Sequence, residues 1–477
     1  MTASGPSREG RLGATRPSRL IGLALALVAG LGASTIFLAG QAVTAPAISD
    51  GRDTVHEGVA SCAGSTCHSR PVASGVHVRQ NELITWQDPS SDAGAHSRAF
   101  RVLASERGQR IAQRMGLGNP QSAEECLGCH AEPAARRGER FRMSDGVGCE
   151  ACHGGSGPWL ASHYAVTGTH AANVASGMNA LDEPKVRASV CLDCHFGSSA
   201  KGQFVTHVMM SAGHPRVAYE LDLFTGMQKH WDADADYCGG GAMSRKKACP
   251  TGVKVWAVGQ AMALERSLTL YGSPRGGSGA FAEYYFFDCH SCHRPISDDP
   301  KFRPTAEINP GRPIPVGIPP FNDENMIMLS AAAKVAAPGI ASRYEADSRA
   351  FHMALAKDRA QAITAAGRLA RTAHELADAF DRHNFDRRET LAILDAVVSQ
   401  PITARFTDYT GSAQAVMAAD TLLNALVASG QVDRGAAARM RPSLDRAYRE
   451  VRDPSTYRPP SFREAMGNVA QAVRALR

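Results

Sequence analysis

Residues 149–153 read Cys149-Glu150-Ala151-Cys152-His153, a C-x-x-C pair with a histidine directly after the second cysteine. The pattern recurs at Cys126, Cys129, His130, at Cys191, Cys194, His195, and at Cys289, Cys292, His293. A wider version, C-x-x-x-x-C-H, stands at Cys62, Cys67, His68. C-x-x-C-H is the attachment signature of c-type haem: the thiols add across the two vinyl groups, and the histidine is held beneath the iron as its proximal ligand. Ten of the twelve cysteines are used this way, so the chain reads as a protein with five covalently attached haem c groups. The competing readings of C-x-x-C are a zinc ribbon and a redox dithiol. Neither needs the next residue to be histidine, yet histidine is only 17 of 477 residues and follows all five pairs. At the wide site two extra residues must bulge between the thioethers. The loop Ala63-Gly64-Ser65-Thr66 is small and flexible enough to do so. A disulfide or a cluster ligand pair stays open there.

Haem c is attached outside the cytoplasm, so an export signal is expected. Residues 1–19 carry Arg8, Arg11, Arg16 and Arg19 against Glu9, and the 21 residues from Leu20 to Gly40 are uncharged. That length is what a membrane helix needs and exceeds the core of a cleaved signal, while Ala45-Pro46-Ala47 resembles a small-residue cleavage site. Residues 1–47 are therefore an anchor or a signal. Either way the positive end stays inside and the remainder lies on the periplasmic side. The formal net charge of +6 falls to +3 once the N-terminal excess (four Arg less one Glu) is set aside, so nothing points to nucleic acid. Aromatic content is only 6%, and haem macrocycles are expected to supply part of the core.

Three regions follow. Residues 48–300 hold every cysteine and many Gly and Pro breaks, and should form short helices and loops around haems. Within them Ala95–Arg114 has helical spacing, with Phe100, Val102, Leu103 and Ile111. Residues 301–321 are a Pro-rich connector. Residues 322–477, without cysteine and rich in Ala, Leu and Arg, read as a C-terminal α-helical domain, so the fold class is mainly α. Asp386 with Glu389 is a capping box for a helix to about Val398. A second helix runs over Ala413–Val427, with Gly430 as its stop. His352, His374 and His383 in this region read as surface or core residues. Cys238 and Cys249 remain, and in an oxidising compartment they read as a disulfide pinning a surface loop. Arg245, Lys246 and Lys247 beside it form a solvated face or a docking patch for an acidic redox partner.

Five irons need up to five further ligands. Nine non-proximal histidines lie in the haem region: His56, His77, His96, His163, His170, His207, His214, His230 and His290. His290 sits inside its own C-x-x-C-H loop and cannot swing to the far face. His163 follows a haem motif by a short turn, His207 and His214 are spaced to address different haems, and His96 opens the helix noted above.

The runs Glu125-Cys126-Leu127-Gly128-Cys129-His130, Gly146-Val147-Gly148-Cys149-Glu150-Ala151-Cys152-His153-Gly154 and Gly213-His214-Pro215-Arg216 with Tyr219-Glu220-Leu221 resemble multihaem cytochromes around the tetrahaem cytochrome linked to hydroxylamine oxidoreductase. The resemblance spans roughly residues 55–300. It implies a mostly helical fold, haems in close parallel and perpendicular pairs, and electron transfer. It also implies that His96, His163 and His214 serve as distal ligands. This chain departs from it in having a fifth site, a wide first site and the C-terminal helices, so the ligand set reaches His207 and His230 less directly. Two functions stay in view. One is an electron carrier with bis-histidine haems, working with redox protein partners or membrane quinol-linked donors. The other is an oxidoreductase acting on a small nitrogen or sulfur compound at a five-coordinate haem.

Overall fold

The structure is a computed structural model that describes residues 54–71, 80–217, 219–231, 238, 249–277, 282–293, 298–301, 314, 318–454 and 456–476. The N-terminal segment 1–47, most of the connector, His77 and the cluster Arg245, Lys246 and Lys247 lie outside the described residues. No described helix is long and apolar enough to cross a membrane.

The fold is mainly α. The only sheet among the described residues is a parallel pair, Val55–His56 against Arg136–Arg137. Up to residue 231 the helices are short, and three of them, Glu124–His130, Cys149–His153 and Pro184–His195, end on a motif histidine. The helical spacing over Ala95–Arg114 resolves into Ala99–Val102 and Glu106–Arg114, with a break at Leu103–Ser105. The break comes from Ser105, whose side chain accepts from the Gly108 amide and caps a new helix.

One long helix, Gly252–Tyr271, runs through the cysteine-bearing half, where only short helices were expected. Its sequence is apolar nearly all round, so it shows no amphipathic period. Thr251 caps its start by accepting from the Lys254 amide. It packs against Pro184–His195, Arg359–Arg382, Glu324–Ala336 and Tyr409–Ala428, with Trp256 fully buried. The capping box at Asp386 and Glu389 opens the helix Arg387–Val398, and the helix Tyr409–Ala428 ends before Gly430, which adopts φ +68°.

These helices share one hydrophobic core, which runs from Ala188 to Val473 and gathers most of the chain's aromatic side chains, among them Trp256, Tyr285, Phe286, Phe321, Phe351 and Phe380. Each such side chain contributes about 1.5–3 kcal/mol by burial. No buried residue before Ala188 belongs to this core. The C-terminal helices thus bury their apolar side chains against one another and against the helix of the fourth motif, through Ala188 and Leu192. Polar contacts fasten the two halves. Gln414 Nε2 donates to the Tyr219 carbonyl (2.8 Å), Lys254 Nζ donates to the Asp381 carbonyl (2.7 Å), and Lys185 pairs with Asp378 (2.6 Å).

Candidate haem-attachment sites

Three motifs close a helix on their histidine: Glu124–His130, Cys149–His153 and Pro184–His195. The chain turns out of the helix at the next residue, extended at Ala131 and at φ +82° at Gly154. The fifth motif forms a 3-10 turn, Cys289–Ser291, capped by Asp288. At the wide site the Cys67 amide donates to the Gly64 carbonyl (2.8 Å) and the His68 amide to the Cys62 carbonyl (3.3 Å). The two extra residues are thus taken up in a turn, and a Cβ on Gly64 would stand 3.2 Å from Cys67 Sγ. Gly128, inside the second motif, lets another loop close in: a Cβ there would lie 2.3 Å from the Gly202 carbonyl.

Four motif histidines face a second histidine. The ring centroids of His68 and His163 are 6.0 Å apart, those of His195 and His96 6.1 Å, those of His130 and His214 6.3 Å, and those of His293 and His207 6.2 Å. For His153 the strongest charged neighbour is His230. Two imidazoles bound to one iron from opposite sides, each through a bond of about 2 Å, have centroids about 6 Å apart. The residues therefore fit one haem iron per pair.

The free ring nitrogens agree. Nδ1–H of His130 donates to the Ala99 carbonyl (2.9 Å), that of His214 to the Pro215 carbonyl (2.7 Å) and that of His230 to the Gln228 carbonyl (3.0 Å). His68 Nδ1 bonds the Glu82 carboxylate (3.0 Å), and the Asn173 amide lies 3.3 Å from His163 Nδ1. Where Nδ1–H donates to an oxygen, as at His68, His130, His214 and His230, the tautomer leaves Nε2 for a metal. Burial pushes His96 and His153 down to about 4 and lowers His163, His214 and His230 as well, so these imidazoles are neutral and their lone pairs available. His68 moves the other way, raised by its bond to Glu82.

None of the ten motif cysteines is in a disulfide, while Cys238 and Cys249 are joined as one. The motif thiols do not gather into the four-ligand groups a zinc site needs. Among the described residues the one set of three close metal-type ligands is His56, Glu132 and Glu150, with no cysteine in it. The cysteines of different sites do adjoin in pairs. The side chains of Cys62 and Cys149 adjoin, Cys152 lies in the field of Cys191, and those of Cys194 and Cys129 adjoin. Tyr285 stands in the field of both Cys129 and Cys289, and Arg216 stacks on its ring (5.1 Å) while donating to Cys289 Sγ (3.2 Å). The sites thus follow one another in space as first, third, fourth, second and fifth. The second pair flanks a cleft of about 270 Å³ lined by Leu103, Ile111, Met115, Phe204 and Met209 between His130 and His214.

Residues 62–154 match the model of the family described as cytochrome c554 and c-prime. The matched stretch holds the first three motifs. It supports a multihaem c-type cytochrome family, with covalently bound haem c and a part in electron transfer. No curated protein and no solved structure matches the chain.

Several residues of these sites escaped the sequence reading. Glu150, quoted only as part of a motif, is a buried latch. Its Oε1 accepts from the amides of Glu57 (2.9 Å) and Ser156 (2.6 Å), and its Oε2 from that of Gly58 (2.6 Å). These bonds hold the strand Val55–His56 and the first motif against the third. Beside it His56 Nδ1 bonds Glu132 Oε1 (2.7 Å), with both groups buried. His56 is thus engaged in a polar staple. Glu82, Asn173 and Arg216 also act on the sites from other segments. Of the remaining histidines, His290 is buried with its ring 5.3 Å from that of Tyr457. His170 lies 3.5 Å from Asp182, His374 pairs with Glu265 and His383 with Glu389. His352 is in the helical core, with Nδ1 on the Ser348 carbonyl.

Proposed function

We propose that this chain is a pentahaem c-type cytochrome of the periplasmic side that carries electrons between redox partners through closely spaced bis-histidine haems. The observation that carries the reading is the pairing of motif histidines with second histidines at about 6 Å. Cys62 with Cys67, Cys126 with Cys129, Cys149 with Cys152, Cys191 with Cys194, and Cys289 with Cys292 would hold the five groups. His68, His130, His153, His195 and His293 would be proximal ligands, and His163, His214, His230, His96 and His207 distal, in that order. Haem c, when bound, supplies an iron that takes up and gives back one electron.

The chain's own part is to fix these groups at short range. Each site shares a cysteine contact or the Tyr285 ring with the next, so the first and fifth sites are the two ends of the series. Both ends reach water: the His68 side chain is 36% exposed, and Cys292 and His293 are exposed. An end open at each extreme suits a protein that receives electrons at one face and passes them on at another. The reading extends the resemblance to the tetrahaem cytochrome by one site and a helical support. The partners it implies are redox proteins or quinol-linked donors, with residues 1–47 as the anchor or export signal. An intact-mass measurement with a pyridine haemochrome assay tests the count. Five haems per chain are expected, and four or fewer would remove the corresponding site.

A further inference from the structure

Glu82 differs from every other group bonded to a ligand-site histidine above. His130, His214 and His230 give their Nδ1 protons to neutral backbone carbonyls. His68 gives its proton to a carboxylate, Glu82 Oε2, at 3.0 Å. The position is built with care by the backbone. The Leu83 amide donates to the His68 carbonyl (3.0 Å), and the Arg70 amide donates to the Gln80 carbonyl (2.9 Å), clamping residues 80–83 onto 68–70. Gln80 takes φ +59° there, a conformation L side chains rarely adopt. A strained residue of this kind persists where its surroundings demand it. Here the turn delivers Glu82 to the first turn of the helix Glu82–Gln87, with its side chain 16% exposed. The carboxylate also lies in the field of His153 and His230, the histidines of the third site.

A carboxylate on the outer nitrogen of a ligating imidazole gives that imidazole partial anionic character and makes it a stronger donor. A stronger donor favours ferric over ferrous iron. We infer that Glu82 is a positioning and tuning residue, which through His68 lowers the reduction potential of the first site and, through space, that of the third. The first site then becomes the low-potential end of the series. This inference rests on the pentahaem reading of the chain.

The test is a spectropotentiometric titration of the full holoprotein and of Glu82→Gln, with Glu82→Asp as the conservative control. Glutamine keeps an acceptor for His68 Nδ1–H and removes the charge. In Glu82→Gln five haems and low-spin spectra should be retained, and one component should become easier to reduce by tenfold or more in its equilibrium constant, about 59 mV for one electron. A second component should move less in the same direction, and Glu82→Asp should return the first towards its original value. The component that moves should be the one that turns high-spin in His163→Ala. A five-haem protein whose potentials stay put in Glu82→Gln, or shift equally at all five components, overturns the role of Glu82 alone. A wild-type chain with no haem at Cys62 and Cys67, read by peptide mass, overturns both this inference and the five-site reading beneath it.

Discussion

Glu150→Gln tests whether the sites are held together by a buried polar latch. Glu150 is 2% exposed and accepts three backbone amide protons, from Glu57, Gly58 and Ser156. A hydrogen bond to a charged group is worth about 1.5–3 kcal/mol and a neutral one about 1 kcal/mol. Glutamine can present one oxygen, which suits the two amides now on Oε1, while its NH2 would face the Gly58 amide, donor against donor. One charged bond, about 2 kcal/mol, is lost outright, and the other two weaken by about 1 kcal/mol each. Relief of repulsion with the neighbouring Glu132 returns on the order of 1 kcal/mol. The net cost is about 3 kcal/mol, and it falls on the local opening of residues 54–62 away from the third motif. Each 1.36 kcal/mol is a factor of ten, so the amides of Glu57 and Gly58 should exchange with solvent roughly 100-fold faster. Hydrogen–deuterium exchange with mass spectrometry on the peptide around residues 54–62 reads this directly. The helical core around Trp256 should exchange as before. An acceleration below about threefold at that peptide would refute the latch, because three intact bonds could not then have been lost or weakened.

Two further expectations follow from the same geometry. His214→Ala should leave its haem attached, since the thioethers at Cys126 and Cys129 are untouched, but should turn that iron high-spin, raise its potential and let it bind cyanide. An unchanged low-spin signal would remove His214 from the ligand set. Glu220 is 1% exposed, and burial raises its carboxyl to about 7 from an ordinary 4.5. The folded chain thus holds a proton between those pH values that the unfolded chain has released, so stability should fall by about 3 kcal/mol as pH rises from 4.5 to 7 and level off above. Denaturant melts of Glu220→Gln across pH 5 to 7 should show a shallower slope, and an unaltered slope would mean that Glu220 does not carry the effect.

The motifs were legible because the chemistry of covalent attachment imposes a local spacing, two thiols and a histidine within one turn. The capping box at Asp386 and Glu389 was legible for the same reason, being a bond between residues three apart. The partners of the motif histidines were less so. His96, His163 and His214 came from resemblance, while His207 and His230 stood only as candidates, because a contact such as His130 with His214 joins residues far apart in the chain. The groups behind the ligands left no sequence signal at all. Glu150 reaches Glu57 and Gly58 across more than ninety positions, and Glu82 looks like any acidic residue in a first helical turn. The long helix Gly252–Tyr271 was missed because burial on every side erases its period. The break before Ser105 was missed because apolar spacing alone continues through it.

The central claim is that the irons of this chain are held by histidine on both sides. An electron paramagnetic resonance spectrum of the fully oxidised holoprotein, with its haem content counted on the same sample, tests it most directly. Five haems and only low-spin ferric signals are expected, since a second histidine stands about 6 Å from four motif histidines and His230 stands beside the fifth. A high-spin ferric signal equal to one haem or more per chain would contradict the claim and shift the reading from carrier to catalyst.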